Sequence, residues 1–191
     1  MRRVAEVAVP ALYRAAYRLA ATSPAKLAHV VLRTGQLPEM VDWYLQVLEG
    51  RLVFSNDMLA FITYDEEHHR VAFLATGASQ RPTDEHSGLH HVAFTYDSLG
   101  DLLNTYQRLK AAGVQPFWSI NHGPTTSMYY EDPDGNHIEL QIDNFSTDAE
   151  LNEFFESGAF DTNPIGVDFD ADELVARFAA GEPLADLVRR P

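Results

Sequence analysis

The chain has 191 residues, of which 46% are hydrophobic and 22% charged, enough apolar material for one packed core and about the size of one domain. It contains no cysteine and carries a formal net charge of −14, which excludes disulfides and thiolate metal sites and argues against the basic surface that nucleic-acid backbones require. Arg, Asp, Glu or His interrupts every hydrophobic run well before the ~18 residues a membrane span needs, so a soluble, cytoplasmic protein with no membrane partner is expected.

Residues 1–25 read as a helical N-terminal extension. Early arginines precede a small-residue region, but Glu6, Pro10, Arg14 and Arg18 break any continuous apolar segment of the kind a secretion signal uses.

An internal repeat follows. LAHVVLRTGQLPEMVDWYLQVLEG aligns with LHHVAFTYDSLGDLLNTYQRLKAAG at an offset of 62 residues, pairing Leu27 with Leu89, His29 with His91, Val30 with Val92, Leu37 with Leu99 and Tyr44 with Tyr106. Each copy opens on a short β-branched run and continues with apolar residues at helical spacing: Met40, Val41, Tyr44, Val47 and Leu48 in the first, Leu102, Leu103, Tyr106 and Leu109 in the second. Pro38 suits a first helical turn, Ser98 an N-cap, and Gly50 and Gly113 helix ends.

After each helix come strand-like runs, RLVFS, LAFITYD and RVAFLAT in the first copy and VQPFWSI, TSMYYED and HIELQID in the second. The last two are joined by the tight reversal Asp132-Pro133-Asp134-Gly135-Asn136. The expected fold is therefore α+β: two tandem βαβββ modules, over 27–77 and 88–143, forming one curved mixed sheet within a domain spanning 26–145. The acidic remainder, 146–191, reads as a C-terminal extension with a loop at Thr162 to Gly166 and a helix from Asp172 to Phe178.

His29 and His91 occupy matching positions near the starts of the duplicated strands, so a pseudo-twofold arrangement would bring two nitrogen ligands together. Alternation along the final strand puts Glu139 with His137 and Gln141 on one face and Ile138, Leu140 and Ile142 on the other. Two histidines and a carboxylate form the facial triad of non-haem iron(II) oxygenases, which leaves adjacent positions open for substrate and dioxygen. The first copy offers no counterpart to Glu139, because only apolar residues surround Ala72 at the equivalent point.

The repeat, the strand histidines and the glutamate of DPDGNHIEL resemble the vicinal oxygen chelate superfamily. DEEHHRVAF, GLHHVAF and NHGPTTSMYYEDPDGNHIEL are similar to the catalytic module of type I extradiol catechol dioxygenases, over roughly three-fifths of the chain. This resemblance implies an iron(II) enzyme, with manganese(II) as the other fitting ion, that opens a small aromatic diol with dioxygen. It places the metal ligands on His29, His91 and Glu139, an acid–base histidine on His69, a second pocket histidine on His122 and a substrate-binding tyrosine on Tyr129. His68, His90 and His137 are then neighbours of the site or exposed, and His86 is exposed. Phe54, Phe61, Phe117 and Trp118 are candidates for an aromatic wall.

Many enzymes of this type carry two such modules in tandem, whereas one is expected here, with the extensions or contacts in a homo-oligomer closing the pocket. Two other readings suit the same sequence: a metal-dependent isomerase, epimerase or lyase of the superfamily, and a metal-free resistance protein that sequesters an antibiotic or other aromatic compound.

Overall fold

A computed structural model describes residues 23–80 and 87–190. The expected N-terminal helix and His86 lie outside the described residues. The first module runs β1 (Val30–Thr34), α1 (Leu37–Leu48), β2 (Arg51–Ser55), β3 (Leu59–Thr63) and β4 (Val71–Ala75). The second runs β5 (His91–Thr95), α2 (Leu99–Ala111), β6 (Trp118–Asn121), β7 (Thr125–Glu131) and β8 (His137–Asp143). The βαβββ order holds in both copies.

Local chemistry explains the boundaries. Pro38 lies in the first turn of α1, where its missing N–H leaves no intrahelical bond unmade. Ser98 caps α2 by accepting a hydrogen bond from the Asp101 amide. Past the end of α2, Gly113 takes the left-handed conformation and donates its amide to the Lys110 carbonyl. Helix α1 ends at Leu48, two residues before the expected glycine, with Glu49 in the left-handed conformation at its C-cap.

The apolar face of α1 covers Ala60, Ile62, Val71 and Phe73 of the first sheet, and that of α2 covers Met128, Tyr130, Ile138, Leu140 and Ile142 of the second. These residues form one continuous core, and each large side chain fully buried there contributes roughly 1.5–3 kcal/mol. The modules are stitched together on their helical side. The buried Tyr44 hydroxyl donates to Asp132 at 3.0 Å, Gln36 reaches Pro133 and Asp134, and Arg108 of α2 donates to the carbonyls of Gln46 and Val47 at the end of α1.

The single curved sheet expected from the sequence is divided in the chain. One sheet has four strands in the order β1-β4-β3-β2, and the other has five, β5-β8-β7-β6-β9, the last being the short strand β9 (Val167–Asp168). Among the described residues no ladder joins β1 to β5, and the first strand of each module stands at the end of its sheet. The modules meet through their helices, which turns the uncovered sheet faces away from their shared core.

Beyond the repeats, α3 (Asp148–Glu156) begins with a reciprocal capping box between Thr147 and Glu150. Helices α4 (Ala159–Thr162), α5 (Ala171–Ala179) and α6 (Leu184–Leu187) complete the extension. Helix α5 contains the expected Asp172–Phe178 segment; the other three helices of this region and β9 were not expected from the sequence. No described helix is long and apolar enough to cross a membrane.

Candidate active site

On β8, Ile138, Leu140 and Ile142 face the core, which leaves Glu139 on the uncovered face of the second sheet. The ladder register sets Tyr129 of β7 directly opposite Glu139 and Trp118 of β6 opposite Tyr129. The Tyr129 and Trp118 rings stack with centroids 5.0 Å apart, and this cover leaves Glu139 only 4% exposed.

His91, the first residue of β5, brings its Nε2 to 3.1 Å from Glu139 Oε2. Its Nδ1 lies 2.7 Å from Nδ1 of His90, so the neighbouring histidine holds the ring with Nε2 toward the carboxylate. Burial lowers the His91 pKa, Glu139 opposing that shift, which favours the neutral imidazole a metal requires. Two donors at right angles on an ion with bonds of about 2.1 Å lie about 3 Å apart, so this pair fits adjacent ligand positions.

His122 follows β6. Its Nε2 is 3.0 Å from the Tyr129 hydroxyl and its Nδ1 is hydrogen-bonded to the Ile165 carbonyl. A carbonyl can only accept, so Nδ1 carries a proton, and in the neutral ring Nε2 accepts from Tyr129. Burial, and then the nearby Glu139 carboxylate, push the Tyr129 pKa upward and keep the phenol protonated.

The C-terminal extension grips this segment. Arg190 donates to the carbonyls of His122 and Ala159, Val188 accepts from the Asn121 side chain, and Trp118 Nε1 donates to Asp168. Gly166, at φ 125°, passes so close that a Cβ there would lie 2.4 Å from the Asn121 carbonyl oxygen. The sequence marks the loop containing Ile165 and Gly166 but not its target, and no sequence pattern singles out Arg190.

The other expected residues sit on the uncovered side of the first module. His29 is exposed just before β1, with its ring 4.3 Å from that of His69. His69 stacks on Phe61 at 4.5 Å, and Phe61 in turn lies 5.8 Å from Phe54, so two of the four expected wall aromatics continue this cluster. Burial, then the nearby His29 and His68, lower the His69 pKa. Arg70 ties the two histidine-bearing segments together. It pairs with Asp65 at 2.8 Å and donates to the carbonyls of Leu27 and Ala28, immediately before His29.

The six residues thus form two constellations: His29 with His69, and His91, Glu139, Tyr129 and His122. Among the described residues of one chain, no three His, Asp or Glu side chains converge on a point where one ion could be held. His68 contacts His69 through Nδ1, while His137 packs 4.8 Å from Phe117 on the uncovered face of the second sheet. Two surface hollows, of about 510 and 330 Å³, contain none of the six.

Residues 26–140 match the family described as the Glyoxalase/Bleomycin resistance protein/Dioxygenase superfamily. The chain is 47% identical over 164 residues to biphenyl-2,3-diol 1,2-dioxygenase 2 of Rhodococcus globerulus, covering 85% of this chain and 86% of that protein. It is 44% identical over 167 residues to biphenyl-2,3-diol 1,2-dioxygenase 3 of the same organism, covering 86% and 88%. Even with every residue before 26 included, matches of that length must run well past residue 140 into the C-terminal extension. Among solved structures, a lactoylglutathione lyase from Agrobacterium tumefaciens superposes with a TM-score of 0.53 at 17% identity, covering 63% of this chain and 96% of that one, a likeness of fold.

Proposed function

Because the chain belongs to the glyoxalase/bleomycin resistance protein/dioxygenase superfamily, we propose that it is an extradiol dioxygenase, opening the ring of a catechol-type diol with both atoms of dioxygen. The observation that carries this reading is the match to two biphenyl-2,3-diol dioxygenases across 85–86% of the chain. It supports an aromatic diol as the substrate class.

On this reading residues 26–145 carry the chemistry and 146–191 shape it. His29, His91 and Glu139 hold one divalent ion, iron(II) or alternatively manganese(II); in kind, two imidazoles and a carboxylate suit either. When bound, the ion supplies Lewis acidity toward the diol and the redox chemistry that dioxygen requires.

The protein's own groups manage protons and orientation. His69, held below the ordinary histidine range by burial, is neutral near pH 7 and able to take a proton from a diol hydroxyl. Tyr129 has one O–H, held by His122 Nε2 in the free protein, and in the diol complex it turns to a substrate oxygen. The aromatic rings of Trp118, Phe117, Phe61 and Phe54 supply faces on which a planar substrate can stack.

The test is aerobic assay of the iron(II)-loaded protein against catechols that include biphenyl-2,3-diol, recording oxygen uptake and absorbance. The expected result is stoichiometric uptake and a coloured ring-opened acid. Absence of uptake with every diol would overturn the proposal, and turnover without oxygen consumption would favour an isomerase or lyase.

A further inference from the structure

We infer that Asp168, on the short strand β9, is a positioning residue of the active site: its carboxylate holds the Trp118 indole, and the indole holds the Tyr129 ring beside Glu139. The inference rests on the proposed role of Tyr129 as the group that meets a substrate oxygen, and adds what keeps its ring there.

A row of side chains crosses the uncovered face of the second sheet. The ladders put Tyr129 opposite Glu139, Trp118 opposite Tyr129, and Asp168 opposite Ile120. Ile120 and Trp118 stand two places apart on β6 and share a face, so Asp168 lies diagonally beside the indole on that same face. Trp118 Nε1 donates to Asp168 Oδ1 at 2.8 Å, and the indole stacks on Tyr129 at 5.0 Å with 29° between the planes. The row runs from an exposed carboxylate, through the half-buried indole, to a buried phenol and the buried Glu139.

The bond to Asp168 governs the ring and not the strand. On one side of Trp118 the Phe117 amide donates to the Tyr129 carbonyl, and on the other the Phe169 amide donates to the Ser119 carbonyl. The backbone there is pinned without help from a side chain. Strand β9 is likewise seated by its ladder with Ile120 and Asn121 and by Phe169, which packs against the core. What the backbone leaves open is the rotation of the indole. Its N–H is its single donor, and a carboxylate accepts it more strongly than a neutral group would. With that bond made, the indole presents a fixed face to Tyr129.

The phenol depends on such a backing. His91 stands edge-on to the Tyr129 ring at 5.4 Å and 85°, and Trp118 covers the ring from the side of β6. The direction of the hydroxyl is set separately, by His122 and the Ile165 carbonyl. The C-terminal extension therefore reaches Tyr129 by two routes, through Ile165 to the hydroxyl and through Asp168 to the ring. When the hydroxyl turns from His122 to a substrate oxygen, the second route still holds the ring.

The test compares Asp168→Ala, Asp168→Asn and Trp118→Phe in the full-length, iron(II)-loaded protein with biphenyl-2,3-diol as substrate. Asp168→Ala frees the indole, and kcat should fall about tenfold, a modest share of what misplacing a reacting group costs, while KM, metal content and urea midpoint stay near wild type. Asn keeps an acceptor oxygen in the same place, so Asp168→Asn should retain at least about half of the wild-type kcat. Trp118→Phe leaves a stacking ring with no N–H for Asp168 to hold. Adding Asp168→Ala to it should lower kcat no further, because residues that act through one bond are not additive.

A second measurement needs neither metal nor substrate. The chain has two tryptophans, Trp43 and Trp118, so in a Trp43→Phe background time-resolved fluorescence anisotropy reads the Trp118 ring alone. Fast depolarisation should increase in Asp168→Ala and match the parent in Asp168→Asn.

Wild-type kcat in Asp168→Ala overturns the inference, and so does an indole as rigid in that variant as in its parent. Asp168→Asn impaired as severely as Asp168→Ala would assign the effect to charge, and additive losses in the double variant would route it past Trp118; either result overturns it as well. A kcat loss that comes with a collapsed urea midpoint marks a structural role and has the same force. A wild-type protein that turns over no diol overturns the dioxygenase reading, and the positioning role with it.

Discussion

His122 is held between the Ile165 carbonyl on its Nδ1 side and the Tyr129 hydroxyl, 3.0 Å from its Nε2. The first contact fixes the tautomer and the second passes that choice to the phenol, so Ile165, 43 positions from His122 in sequence, orients the Tyr129 proton.

Loosening that grip should impair chemistry more than metal binding. In Gly166→Ala the new methyl would meet the Asn121 carbonyl and the His122 Cα, so the loop must retreat; in Arg190→Ala the His122 carbonyl loses its donor. Both variants should lose kcat by about tenfold, less than the roughly hundredfold that loss of a proton-transfer group costs because the group is displaced and not removed, with metal content unchanged. Steady-state kinetics alongside metal analysis checks this. Equal kcat in both variants and wild type would detach the extension from the chemistry.

The Tyr44–Asp132 bond should matter to stability alone. It joins α1 to the β7–β8 reversal, where Asp132 also accepts from the amides of Asp134 and Asn136 and the Asn136 side chain. Tyr44→Phe removes one donor to a buried carboxylate, and a loss of about 1–2 kcal/mol is expected. Urea unfolding measures it, and a loss below ~0.5 kcal/mol would mean that the other three donors suffice.

Much of each module was legible because its determinants are local. Ser98 caps the helix it precedes, and β8 alternates as its sequence does, from His137 to Asp143. The capping box of α3 was equally local, Thr147 and Glu150 standing three residues apart, and could have been read. The grip on His122 could not, because it runs through the carbonyls of Ile165 and His122, which no side-chain pattern marks. The placement of His29 was beyond reach for a related reason. Periodicity reports which face of β1 it shares with Val31, but not which strand edge lies alongside.

The ion pair that steadies the His69 loop sets a pH dependence. Hydrogen bonding to Arg70 is the main reason the Asp65 carboxyl titrates at about 2 instead of its ordinary 3.8. A carboxylate whose folded pKa is depressed stabilises the fold above its unfolded value, and the contribution fades as pH falls through the folded one. Wild type should therefore exceed Asp65→Asn in urea midpoint at neutral pH by a small, constant margin, since the pair is partly solvated. That margin should close between pH 3.8 and about 2. A difference that persists below that window would assign the effect to packing instead of charge.

Tyr129→Phe separates the hydroxyl from the ring that carries it. The phenyl group can still stack on Trp118 and lie edge-on to His91 at 5.4 Å, so the thermal midpoint and metal content should hold. The hydroxyl that points at His122 Nε2 and lies beside Glu139 is lost. A preorganised donor in a site that excludes water is worth about a hundredfold in rate, and a drop of that order in kcat/KM is expected. Because burial and Glu139 raise the Tyr129 pKa, the phenol stays protonated across the alkaline range. The basic limb of the wild-type pH profile should therefore persist unchanged in Tyr129→Phe. A variant that keeps full kcat/KM, or loses that basic limb, would remove Tyr129 from the role of proton-bearing donor.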